Sequence, residues 1–128
     1  MNRSILLLTG FTICFLTTNL RAEDWPQWRG QNRDGKWNEA GLVEKFSGDS
    51  IPHEWSVPVA PGYSGPTVAD GRVYLTDRPE TEEQQERVLC FDAKTGGSIW
   101  SHTYPCQYRN IGYQAGPRAA VTIDDGQA

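Results

Sequence analysis

Apolar and polar positions in this chain crowd and alternate over short spans, marking brief strands separated by tight turns. Apolar residues crowd at 88–91, Val-Leu-Cys-Phe, inside the stretch 87–100. Four apolar residues in succession leave no polar face, so the pattern predicts a strand covered on both sides. Asp92 ends that strand, and its short carboxylate can accept hydrogen bonds from backbone N–H groups across a turn. Thr95 can do the same with its hydroxyl, while Gly96 or Gly97 can take the positive φ of a tight reversal. Trp100 opens a returning strand that runs through Tyr104 and is stopped by Pro105. Its ring is expected to pack over the turn and against a neighbouring sheet.

Upstream, Thr67-Val68-Ala69 and residues 72–77 are β-prone runs joined by Asp70-Gly71, a strong hairpin signal. Residues 53–59 read as a further strand with Trp55, Val57 and Val59 on one face, and Pro58 confines it to an edge. A short helical turn is expected over 38–46, weakened by Gly41. Residues 78–86 hold Glu80, Glu82, Glu83 and Glu86 without apolar periodicity and read as a solvated loop. Residues 106–115 read as a longer connection. Near the start, Trp25 and Trp28 are costly to expose and should pin the segment onto the domain.

A repeat is visible. Gly62-Tyr63-Ser64-Gly65-Pro66 is echoed by Gly112-Tyr113-Gln114-Ala115-Gly116-Pro117, and the Asp-Gly pairs ending at Gly71 and Gly126 lie 55 residues apart. A unit of that size with four short strands fits an antiparallel propeller blade. The expected fold is therefore all-β, with one full blade at about 65–104 and parts of two others. Because a blade buries its faces only against neighbours, the reading is of a fragment of a longer ring, or of a truncated product without activity. The boundaries expected are 1–22 for a signal peptide, 23–52 for an N-terminal extension and 53–128 for the partial repeat domain.

The motif Cys90-x-Asp92-x-x-Thr95-Gly96-x-x-x-Trp100 resembles the tryptophan docking motif of PQQ-type, quinoprotein-like β-propellers, Cys90 standing where Ala is usual. Asp24-Trp25-Pro26-x-Trp28-Arg29-Gly30 likewise resembles the opening of many secreted members. The resemblance implies that Asp92, Thr95 and Gly96 shape the turn between the outer strands of a blade, and that Trp100 packs between adjacent blades. It also implies that the N-terminal strand at 55–59 completes the last blade, and that inter-blade loops line any cofactor face.

Residues 1–22 carry Arg3, an apolar stretch over 5–16 and a small-residue site at Leu20-Arg21-Ala22, the arrangement of a secretory signal peptide. Thr9, Gly10 and Thr12 interrupt the stretch, which disfavours a permanent anchor. The expected location is periplasmic or extracellular, with no transmembrane segment after cleavage. Loss of Arg3 and Arg21 leaves ten basic against sixteen acidic residues, a net charge of −6. An acidic chain without a Lys/Arg cluster is a poor match for nucleic acid or anionic membrane, and no nucleic-acid partner is expected. In an oxidising compartment Cys90 and Cys106 can pair; otherwise Cys90 is a small buried residue and Cys106 a loop thiol.

Chemistry is sparse. Gly62-Tyr63-Ser64-Gly65-Pro66 fails as a nucleophile elbow at Pro66, and no suitable histidine follows. Asn32-Arg33-Asp34-Gly35 fails as a calcium loop, because Gly30 and Gly41 stand where acids are required. His102 reads as a strand residue, and Trp25 with Trp28 offers a carbohydrate platform only as the lesser reading. Arg109 and Arg118 are the candidates for anion or cofactor contact. No catalytic residue and no metal ligand set is assigned. Two functions remain in view. One is an exported scaffold that binds an unidentified protein or small molecule. The other, implied by the resemblance, is a PQQ-dependent alcohol or sugar dehydrogenase with calcium, its site lying largely in other blades.

Overall fold

A computed structural model describes residues 22–128; the expected signal peptide, apart from Ala22, lies outside the described residues. Among them the fold is all-β without helices, one open antiparallel sheet in the order β1-β2-β3-β4. The strands are β1 (Thr67–Ala69), β2 (Arg72–Asp77), β3 (Gln85–Asp92) and β4 (Ser98–Pro105). No described helix is long and apolar enough to cross a membrane.

The β1–β2 hairpin turns on Asp70 and Gly71, with φ of 51° and 71°. Positive φ at both central residues matches the right-handed twist of the flanking strands, which is why Asp-Gly suits the position. Register places Tyr74 opposite Cys90, and Cys90 opposite Trp100. A register shift at Cys90/Phe91 then sets Phe91 against Ser98, leaving Ile99 as the extra residue of a bulge. On one face, Ala69, Tyr74 and Cys90 form the core, with Trp100, Val121 and Ile123 packed against them. Leu89 and Phe91 are buried on the other face, so β3 is covered on both sides, as its unbroken apolar run demands.

Three expected elements differ. Residues 53–59 form no strand; Pro58 has no N–H to offer a ladder, and the segment is held by side chains instead. Trp55 Nε1 donates to the Ala93 carbonyl at 3.0 Å, and the Ala60 N–H donates to Asp77 Oδ2 at 2.8 Å. Residues 38–46 form no helical turn. Gly41 sits at φ 74°, outside the helical region, and Leu42, Val43 and Phe46 stay exposed with no surface to pack on. The loop expected over 78–86 ends early, because β3 begins at Gln85 and takes Glu86 into the sheet.

The N-terminal clamp is real but rests on one tryptophan. Trp25 exchanges two backbone hydrogen bonds with Val68, at 2.7 and 3.0 Å, extending the free edge of β1. Trp37 tilts against Trp25 with ring centroids 5.9 Å apart. Trp28 remains 69% exposed and pins nothing.

Candidate functional site

The turn between β3 and β4 is organised around the Asp92 carboxylate. Its Oδ1 accepts from the backbone N–H of Lys94 at 3.1 Å, the N–H of Thr95 at 2.8 Å and the Thr95 hydroxyl at 2.8 Å. Those Thr95 bonds hold the Asp92 carboxyl below its ordinary range, the hydroxyl first and the backbone N–H second. Thr95 Oγ1 in turn accepts from the Gly97 N–H at 3.2 Å, and the Gly96 N–H donates to the Asp92 carbonyl at 2.9 Å. Gly96 takes φ 70°. Asp92, Thr95 and Gly96 thus act together, as their spacing suggests. The aromatic over the turn is Trp55, however, not Trp100.

Trp100 packs instead on the face of the sheet that carries Tyr74 and Cys90. It is half-buried on β4, tilted against Tyr74 with centroids 5.9 Å apart. Its remaining surface borders a groove of about 650 Å³ between the sheet and residues 117–122. That roof segment is the sequence echo of β1 and its approach. Thr67 Oγ1 donates to the Val121 carbonyl at 2.6 Å, the Tyr63 N–H to the Pro117 carbonyl at 2.8 Å, and the Ile123 N–H to the Pro26 carbonyl at 2.8 Å.

The polar end of the groove is Glu86, only 4% exposed. Tyr104 donates to its Oε2 at 2.9 Å and Tyr108 to its Oε1 at 2.5 Å. Burial and the neighbouring Glu86 carboxylate push both phenols up to about 12. Tyr108 is also held from behind, with the Arg78 guanidinium 4.7 Å over its ring. Glu86 was not visible as a site residue because it sits in an acid-rich run. The alternation Glu86-x-Val88-x-Cys90, which places all three on one face of a strand, is the signal that identifies it.

Arg118 lines this groove and Arg109 does not. The Arg118 guanidinium lies 4.2 Å from the Tyr113 ring centroid and 5.4 Å from that of Tyr63. Tyr63 and Tyr113, equivalent positions of the two repeats, meet edge to face at 6.4 Å. Arg109 is exposed in the connection, so the two arginines form no shared anion site. No three described His, Cys, Asp or Glu side chains converge on a cation position.

His102 is exposed and stacks on Tyr104 at 6.3 Å. The pairing of Cys90 with Cys106 is not made, and both are free thiols. The Cys106 N–H donates to the Gln84 carbonyl, six positions along from Cys90 on the same side of the sheet. At about 3.3 Å per residue that is roughly 20 Å, far beyond the ~7 Å limit for a disulfide.

Comparison with known proteins gives no match: no family model, no curated protein and no solved structure matches this chain.

Proposed function

We propose that the four-stranded sheet is one blade of a PQQ-like β-propeller and that the protein works as an exported binding or assembly scaffold. The observation that carries this reading is Trp100. It follows a turn built by Asp92, Thr95 and Gly96, and it presents a half-buried ring to a groove beside the start of the next repeat. An indole left in that position is a large apolar surface suited to a neighbouring sheet. Three carboxylates have structural partners: Glu86 holds two tyrosines, Asp77 holds Arg87, and Asp92 holds its turn. Such an arrangement supports a scaffold better than a catalyst. Contacts among successive blades would leave the loops free to bind a protein or small molecule.

The test joins the reading frame beyond the Ala128 codon to sedimentation of the exported product. The expected result is further Asp-x-x-Thr-Gly-x-x-x-Trp units downstream, or, failing these, assembly of several copies that bury Trp100. A stable monomer without further units and with Trp100 open to solvent would overturn the proposal.

A further inference from the structure

We infer that Tyr108 is a latch that fastens the entrance of the groove's roof, at Gly116, to the sheet. Its phenol oxygen stands 2.5 Å from Glu86 Oε1 on β3 and 2.8 Å from the Gly116 carbonyl at the entrance to the roof segment. A phenol has one proton, so it donates to one acceptor at a time and can pass between the two without moving its ring. The acceptors belong to the sheet and to the entrance of the roof; further along, Thr67 and Thr76 of the sheet reach the Val121 and Ala119 carbonyls at 2.6 and 3.3 Å.

The latch is itself anchored. Gln84 Oε1 accepts from the Tyr108 N–H at 3.1 Å, the Arg78 guanidinium covers the ring, and Arg78 Nη1 donates to the Cys106 carbonyl at 2.9 Å. These contacts fix the near end of the connection at 106–108. Between there and Gly116 the chain runs through exposed residues, Arg109 and Asn110 among them, and Asn110 has φ 54°. Within this connection, the far end is held to the sheet through the phenol. Pro117 and its neighbours then roof the groove bordered by Trp100 and His102. Release of the phenol frees the entrance of the roof at Gly116 and Pro117 and widens that end of the groove, while Thr67 and Thr76 keep the rest of the roof on the sheet and the sheet keeps its own ladder. The device does not depend on how many blades surround it.

Amide hydrogen exchange on the full chain, read residue by residue, tests the latch. The Tyr63 N–H is bonded to the Pro117 carbonyl, so it reports the seating of the roof. In Tyr108→Phe its exchange should rise about tenfold, while amides of the β2–β3 ladder keep their protection. Tyr104→Phe removes the other phenol from Glu86 but leaves the bridge to Gly116, and should leave the Tyr63 amide unchanged. In the wild-type chain the Tyr63 amide should open independently of the ladder. The inference is overturned by an unchanged Tyr63 amide in Tyr108→Phe, by an equal effect from Tyr104→Phe, or by loss of protection across the whole sheet. It is also overturned if the wild-type Tyr63 amide opens only together with β2 and β3.

Discussion

Trp55 lies against Gly96 so closely that a Cβ at Gly96 would stand 2.7 Å from the indole Cε3. The glycine is thus required twice, for its φ of 70° and for the ring above it. The contact ties the 55–60 segment to the far end of the sheet, and the indole N–H completes it on the Ala93 carbonyl.

Gly96→Ala should therefore cost more than the left-handed conformation alone, which is worth about 1–2 kcal/mol. Displacing Trp55 should bring the total to about 3 kcal/mol, with the off-rotamer and packing losses of an overfilled site. Gly71→Ala is the comparison, because Gly71 has φ 71° and open space around it. Urea midpoints of the two variants should separate, and the shift in tryptophan emission should accompany Gly96→Ala only. Equal midpoints would show that the Trp55 contact adds nothing to the cost.

The strands and turns of the sheet were legible because their signals are local. Asp70-Gly71 specifies a hairpin within two residues, and Asp92 with Thr95 and Gly96 builds its turn within five. What was not legible depends on contacts between distant positions. Trp55 reaches Gly96 across 41 residues, so its strand-like pattern gave the face but not the partner. Glu86 looked solvated because its neighbours are acidic, and only β-strand alternation with Val88 and Cys90 buries it. Trp28 resembles Trp25 in sequence, yet only Trp25 reaches the free edge of β1.

The Asp92 turn should respond to acid. Its folded-state pKa lies below the ordinary carboxyl value of 3.8, so its contribution is fully present above that value. The contribution is lost as pH falls through the lower folded-state value, when protonation removes charge from the bonds to Thr95. Thr95→Val deletes the hydroxyl, the largest cause of the shift, but keeps the backbone N–H. A carboxyl titration followed by NMR should show Asp92 moving back toward 3.8 in that variant. Asp92 titrating identically in both chains would show that the hydroxyl does not set it.

Asp77 and Arg87 face one another across β2 and β3, and the pair is closed by two bonds of 2.9 and 2.6 Å. The Asp77 side chain is fully buried while that of Arg87 is 33% exposed, so the two partners are not equivalent. Arg87→Met leaves a buried carboxylate with only the Ala60 N–H as donor, and should destabilise by about 3 kcal/mol, the lower end for a broken buried pair. Adding Asp77→Leu to Arg87→Met removes the stranded charge and should recover at least about 1 kcal/mol of that loss. Denaturant titration of the single and double variants measures both steps. A double variant less stable than Arg87→Met alone would mean that Asp77 is needed chiefly to hold Ala60.

The thiols should react in a fixed order. Cys90 is fully buried under Trp100 and Tyr74, whereas Cys106 is half-exposed after β4. Burial is the first cause raising both above the ordinary thiol value of 9.0, with Glu86 adding to it at Cys106. Both are therefore protonated and slow at neutral pH, and since the thiolate is the attacking form, each should speed up as pH rises. Access then separates them. Iodoacetamide labelling followed by peptide mapping should mark Cys106 first and leave Cys90 unmodified until the sheet opens in denaturant. Reduction beforehand should not change the pattern, because the two sulfurs are not joined. Labelling of Cys90 at the rate of Cys106 in the folded chain would mean that the Trp100 face opens readily, and would weaken the closed packing around Tyr74.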